Sequence, residues 1–179
     1  MSDKIRIATT SLAGCFGCHM SILDIDEKII DLVELVEFSR SPLTDFKHPE
    51  ACDIGIIEGG IANSENVEVA REFREQCKII VAIGACALNG GIPAMRNHYT
   101  VTDIFQESYI NGIGLDQAHI PNDPELPKIL NKVHPLQEVI KVDYVLPGCP
   151  PPAELIWEVV SALLAGRAPV IPKEILRYD

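Results

Sequence analysis

Four of the chain's six cysteines carry a pattern that can do chemistry. Cys15 and Cys18 form a short C-x₂-C pair, while Cys86 and Cys149 stand alone far downstream. Thiolates are soft ligands that select iron–sulfur clusters or zinc. Four of them can ligate a cubane 4Fe–4S cluster. A structural zinc site more often shows two short paired spacings, and here there is one. A redox dithiol at Cys15–Cys18 is the third chemistry the pair allows, but it leaves Cys86 and Cys149 without a role. Each cysteine has a glycine beside it or one residue away: Gly14, Gly17, Gly84 and Gly148. Glycine lets backbone amides approach and hydrogen-bond a bound cluster.

The elements needed to position these residues are visible as alternating strands and helices. Lys4–Thr10 reads as a short apolar strand and Met20–Val33 as a helix with Ile22, Ile25, Ile29 and Leu32 on one face. Glu34–Ser39, Cys52–Glu58, Lys78–Ile83 and Val142–Leu146 read as further strands, and Val67–Gln76 as a helix. Pro152 opens a last helix that carries Ile156, Val159, Val160, Leu163 and Leu164. Such alternation predicts an α/β fold: a flavodoxin-like, doubly wound, mostly parallel sheet with helices on both faces. The chain, 1–179, reads as one such domain with an irregular, proline-rich insertion of loops and short helices around 89–136, with Val101–Tyr109 helical. Arg167–Asp179 reads as an extended strap. Three strands run directly into cysteine loops. In open α/β sheets, sites form at the carboxyl ends of strands. Cys18 is expected at the N-terminus of the first helix, where the dipole favours thiolate charge.

Composition narrows the function classes. Residues are 47% apolar, enough for a core, but only 6% aromatic, and the net charge is −11. That balance argues against nucleic acid, whose phosphates demand a basic patch, and against anionic membranes. No bilayer-length apolar run and no export signal are visible, so the cytoplasm is the expected location.

Three segments resemble the small subunit of nickel–iron hydrogenases. They are Gly14-Cys15-Phe16-Gly17-Cys18-His19-Met20-Ser21, Gly84-Ala85-Cys86 continuing to Asn97, and Leu146-Pro147-Gly148-Cys149-Pro150-Pro151. The resemblance runs from Ile5 to the final helix. It implies that Cys15, Cys18, Cys86 and Cys149 bind one 4Fe–4S cluster proximal to a nickel–iron centre held by a separate large subunit. Membrane-linked and periplasmic relatives add a second, cluster-bearing half and an export signal; deazaflavin-reducing and sulfhydrogenase relatives add cysteine-rich motifs. This sequence carries none of these. The related quinone oxidoreductase subunit has two adjacent cysteines where Cys15 and Cys18 are separated here. The resemblance is therefore to the NAD-reducing soluble type. It implies a diaphorase partner with FMN, NAD and further clusters, and an electron relay with no hydrogen activity in this chain alone. An alternative is another cytoplasmic hydrogenase or a quinone-reductase-type complex with a different acceptor. The surface around the cluster is expected to be apolar and covered by partners.

The remaining chemical residues are weighed individually. In the family a Glu-Gly pair at Glu58 belongs to the cluster environment; the residue can move a proton or bind iron there, or simply cap a turn or meet a partner arginine. His19 is expected behind the cluster ligands or at an interface. His48, His98, His119 and His134 read as surface or interface residues, and Cys52 and Cys77 as small buried hydrophobes. Asn89-Gly90-Gly91 lacks either phosphate-binding glycine pattern and reads as a loop passing close to the cluster. Arg71–Arg74, with Glu72 and Glu75, reads as a solvated helix face.

Overall fold

The computed structural model describes residues 4–42 and 48–176. Its strands are β1 (Ile5–Ser11), β2 (Val36–Arg40), β3 (Cys52–Glu58), β4 (Ile61–Asn63), β5 (Cys77–Ile83), β6 (Ile129–His134) and β7 (Tyr144–Leu146). The helices are α1 (Gly17–Leu23), α2 (Lys28–Leu35), α3 (Ser64–Gln76), α4 (Gly84–Asn89), α5 (Val101–Phe105) and α6 (Ala153–Leu164). Five strands form a wholly parallel sheet in the order β2-β1-β3-β5-β7. Numbered along the chain, this is the 2-1-3-4-5 order of flavodoxin-like folds, with its switch in direction between β1 and β3. The α/β expectation holds.

Residue alternation explains why the sheet is covered on both faces. Ile7, Ile54, Ile56, Val81 and Ile83 pack into one core with Ile22 and Ile25 near α1, Leu32 of α2, and the apolar face of α6. Ala8, Ile57, Ile80 and Ala82 point the other way, toward Ala70 and Phe73 of α3 and Ala87 of α4. Each fully buried side chain of Val, Leu, Ile or Phe size contributes about 1.5–3 kcal/mol. Asn63 caps α3 by accepting the Asn66 N–H at 2.8 Å.

Several details depart from the sequence reading. The helix expected over Met20–Val33 is two helices, because Asp26 adopts a left-handed φ of 54° that breaks the backbone while the apolar spacing continues. Such a φ is unusual but tolerated by aspartate. The insertion is not only loops and helices. A 3₁₀ segment, Ile92–His98, and α5 with its π-helical extension Gln106–Ile110 lead to β6, which pairs antiparallel with β4. β6 is short, flanked by Pro127 and Pro135, and weakly alternating, so its sequence carries little strand signal. Arg96 holds this unit in place by donating to the Ala62 and Leu130 carbonyls at 3.1 and 3.0 Å. Ile171, Ile175 and Leu176 of the C-terminal strap pack on the first core; residues 177–179 of that strap lie outside the described residues.

Two further expectations are corrected. Cys52 and Cys77 are not free hydrophobes but a disulfide, 4.6 Å apart between Cα atoms. They stand opposite one another at the start of β3 and β5, and Gly55 leaves room for them: a Cβ there would lie 2.9 Å from Cys77 Sγ. Arg74 is not a solvated residue. Its guanidinium donates to the Cys77 and Lys78 carbonyls at 2.6 and 2.8 Å and to Asp143 Oδ2 at 2.6 Å. Asp143 Oδ2 also accepts the Ile80 N–H at 2.9 Å, which locks the segment entering β7 onto β5.

Burial pushes the Asp143 carboxyl up, but Arg74, the Ile80 N–H and Lys141 outweigh it and hold it below the usual carboxylate range. A carboxyl depressed by folding adds stability above its unfolded value, near 4, and that stability is lost as pH falls through the folded value. Asp143→Asn is therefore expected to lower stability at neutral pH by about 1–2 kcal/mol and to flatten its acid limb. Urea melts of both proteins at neutral and acid pH check this. Denaturing thiol alkylation without reductant is expected to add four labels per chain where six would mark all thiols free, which checks the Cys52–Cys77 bond, and Cys52→Ser with Cys77→Ser is expected to lower the melting temperature.

Candidate metal centre

Three loops at the carboxyl edge of the sheet build one cavity. The first leaves β1 at Ser11 and is sewn to the end of β3: Leu12 donates to the Glu58 carbonyl at 2.9 Å, and Ala13 and Gly60 exchange hydrogen bonds at 3.1 and 2.8 Å. Phe16 then takes a left-handed φ of 68° and starts α1, which places Cys18 in its first turn. The second loop turns from β5 into α4 at Gly84, and the third follows β7. They are joined by the Ala85 N–H, which donates to the Gly148 carbonyl at 2.8 Å. Ser21 Oγ donates to the Pro151 carbonyl at 2.5 Å, tying α1 to the third loop, whose Cys149–Pro150 peptide is cis.

The cavity, of about 60 Å³, is lined by Cys15, Cys18, Cys86 and Cys149 together with Glu58, Ala85, Pro150 and the glycines at 14, 17, 59 and 148. That is several times the roughly 10–15 Å³ one water needs. Cys15 and Cys149 are exposed at its mouth, and Cys18 and Cys86 are partly buried. The glycines mainly make room for sulfur. At Gly84, with φ +83°, an added Cβ would collide with Cys18 Sγ. At Gly91 it would lie 2.7 Å from Cys86 Sγ, and at Gly17 3.2 Å from Cys15 Sγ. At Gly59, with φ +87°, it would lie 2.8 Å from the Leu12 carbonyl carbon. Gly59 lies outside the glycines flanking the cysteines, and the Gly59-Gly60 pair was the available signal; Gly91 belongs to the Asn89-Gly90-Gly91 loop already read as passing close to the cluster. Gly14 has only an ordinary contact, and Gly148 takes φ +138° against Pro151.

Glu58 lies at the inner wall and is 2% exposed; His19, 4% exposed, sits behind it. Glu58 Oε2 accepts the His19 N–H at 3.2 Å. His19 Nδ1 is 3.1 Å from Oε1, close enough for an ion pair but not aligned for a hydrogen bond, so neither atom completes one. The imidazole stacks on Phe16 with centroids 4.7 Å apart. His19 thus faces inward, not a partner. Burial raises the Glu58 carboxyl, but His19, Ser11 and Cys18 hold it below its ordinary value. Burial and then the Glu58 charge push the Cys18 thiol far above its ordinary range; burial also raises Cys86, against the Ile92 N–H. Only a cationic group bound between the sulfurs reverses that preference.

Four thiols around one cavity can ligate a polynuclear iron–sulfur group. The same four, drawn in to about 2.3 Å from a common centre, would hold zinc. Among the described residues no three of His, Cys, Asp or Glu are set for a single ion. His48 and His134 pair with Glu72 and Glu138 at 2.7 and 2.6 Å, away from the cavity. Large apolar side chains are exposed on α1, just after Cys18, and on the segment that follows Gly91: Met20, and Ile92, Met95 and Tyr99, at 45, 72, 65 and 66%.

Known proteins resemble this chain in sequence and in fold. Residues 15–163 match the family model described as NADH ubiquinone oxidoreductase, 20 Kd subunit. The chain is 46% identical to the delta subunit of the NAD-reducing hydrogenase HoxS of Cupriavidus necator, over 98% of this chain and 86% of that one. It is 45% identical to one subunit of the F420-non-reducing hydrogenase of Methanothermobacter thermautotrophicus, over 97% of this chain but only 58% of that one. A chain in the crystal structure of an NAD+-reducing nickel–iron hydrogenase in the H2-reduced state superposes with a TM-score of 0.97 at 55% identity, covering 98% of this chain and 99% of that one. The nickel–iron–selenium hydrogenase of Desulfovibrio vulgaris Hildenborough shares the fold alone, at 15% identity and a TM-score of 0.60 over 92% of this chain and 60% of that one.

Gly84→Ala is expected to displace Cys18 and abolish iron binding while the fold persists. Gly166→Ala, with open space around it, is expected to keep its iron despite the same left-handed strain of about 1–2 kcal/mol. Iron content and far-ultraviolet dichroism of the two variants check this.

Proposed function

The chain belongs to the NADH ubiquinone oxidoreductase 20 kDa subunit family, among the small subunits of NAD-reducing nickel–iron hydrogenases, and we propose that it serves there as a one-electron relay. In this reading Cys15, Cys18, Cys86 and Cys149 hold one 4Fe–4S cluster. The observation that carries it is the meeting of all four thiols around one cavity at the carboxyl edge of the sheet. The cluster, when bound, supplies the ability to accept and release single electrons. The chain's own residues supply its placement and surroundings. Backbone bonds from Leu12 to Glu58 and from Ala85 to Gly148 fix the three loops relative to one another. Gly84 and Gly91 let Cys18 and Cys86 turn inward. Glu58 and His19 add a charged, buried wall on one side.

The partners follow from that role. A large subunit holding the nickel–iron centre covers the exposed apolar residues Met20, Ile92 and Met95 and shields the exposed Cys15 and Cys149 from water. Electrons from hydrogen pass through this chain to diaphorase subunits, with FMN and further clusters, and leave as hydride on NAD+. The setting we infer is the cytoplasm. Among the described residues no helix is long and apolar enough to cross a membrane.

Hydrogen-dependent NAD+ reduction by the complex, purified without oxygen through a tag on this chain, tests the reading. We expect activity in the wild type and its loss in Cys149→Ala with the large subunit still bound. Hydrogen uptake to an artificial dye with NAD+ left oxidised would keep the hydrogenase role and replace the acceptor.

A further inference from the structure

The first quarter of the chain holds a second unusual surface, away from the cavity. Helix α2 turns Ile29 and Leu32 toward the core, beside Ile25 just before it, as an amphipathic helix should. Its other side is not polar throughout: Ile30, Val33 and Leu35 are 60, 46 and 56% exposed. Asp24, Asp26, Glu27, Asp31, Glu34 and Glu37 surround them, all exposed. Glu27 and Glu34 lie three residues before and four after Ile30, on the same helical face. Within 24–37 six carboxylates stand against one lysine, Lys28, which puts five of the chain's eleven net negative charges into this stretch, and Lys4 reaches its edge by donating from Nζ to the Val33 carbonyl at 2.8 Å. Lys28, itself exposed, lies over the Trp157 ring, 5.5 Å from its centroid. Among the described residues none of the six carboxylates makes an ion pair, whereas Asp53, Glu72, Glu138 and Asp143 all do. Because α2 ends where β2 begins, this face runs toward the amino edge of the sheet, opposite the cavity.

We propose that the α2 face, with Ile30 and Val33 ringed by Glu27, Asp31 and Glu34, docks a protein surface with an apolar centre and a lysine- or arginine-rich rim. Charge selects this occupant. A second copy meeting it across a two-fold axis would set the carboxylates against their own equivalents. An anionic membrane would be repelled in the same way. A cationic protein gains both from the exposed apolar groups and from attraction that steers its approach. The proposal rests on the function above only in supposing that the chain works within an assembly.

Carboxyl labelling with glycine ethyl ester, on the assembly purified from its native host, tests it. Glu27, Asp31 and Glu34 are expected to label about tenfold more slowly at low salt than at roughly 0.5 M salt. Zero-length carboxyl-to-amine coupling is expected to join them to lysines of another subunit. The double variant Asp31→Lys, Glu34→Lys is expected to shed that subunit while this chain keeps its own iron; should it not fold, Ile30→Ser is expected to weaken the same contact. Fast labelling at both salts, coupling to a second copy of this chain, or retention on phosphatidylglycerol vesicles would each overturn the proposal. Iron content, measured on the same samples, reports separately on the cluster.

Discussion

Everything at the carboxyl edge depends on bringing four sulfurs from three loops around one space with no other side chain in the way. A parallel sheet supplies the loops, since β1, β5 and β7 all end on that side. It does not supply the room. The room comes from positions that lack a Cβ, above all Gly84 against Cys18 and Gly91 against Cys86. Gly59 serves the same end one step back, where the loop after β1 passes the end of β3. The backbone bonds between loops then make the arrangement a single unit, so that Cys15 and Cys18 cannot move independently of Glu58, nor Cys86 of Gly148.

Electrostatics make this unit dependent on what it holds. Glu58 is buried and charged, with His19 as its nearest counterpart, and it stands beside a thiol that burial already disfavours as a thiolate. A thiolate at Cys18 beside that carboxylate needs positive charge between them, and the hydrogen bonding of His19 and Glu58 is incomplete. The iron–sulfur cluster proposed above would supply that charge.

The fold was legible because its signals were local and repeated. Apolar runs such as Lys78–Ile83 and the periodic face of α6 lead directly to the parallel sheet and its order. The meeting of the four cysteines was legible for the same reason: each lies just after a strand, in the loop or in the first turn of the helix that follows it. What escaped the sequence were contacts between distant segments. β6 exists because β4 and Arg96 receive it, not because of its own residues. Cys52 and Cys77 pair because β3 and β5 set them opposite one another, and Arg74 leaves its apparent solvent face to clamp Asp143. His19 next to Cys18 could not be assigned a direction until α1 placed it inward, and the split of the first helix at Asp26 leaves the apolar spacing intact.

Whether these four cysteines hold one cubane cluster is tested most directly by counting iron and acid-labile sulfide on the anaerobically purified chain, together with its Mössbauer spectrum. A cubane requires about four irons and four sulfides per chain, in one set of tetrahedral thiolate-ligated sites. A preparation carrying one zinc per chain and no labile sulfide, or one whose iron is unchanged when Cys18 is replaced by alanine, would contradict it.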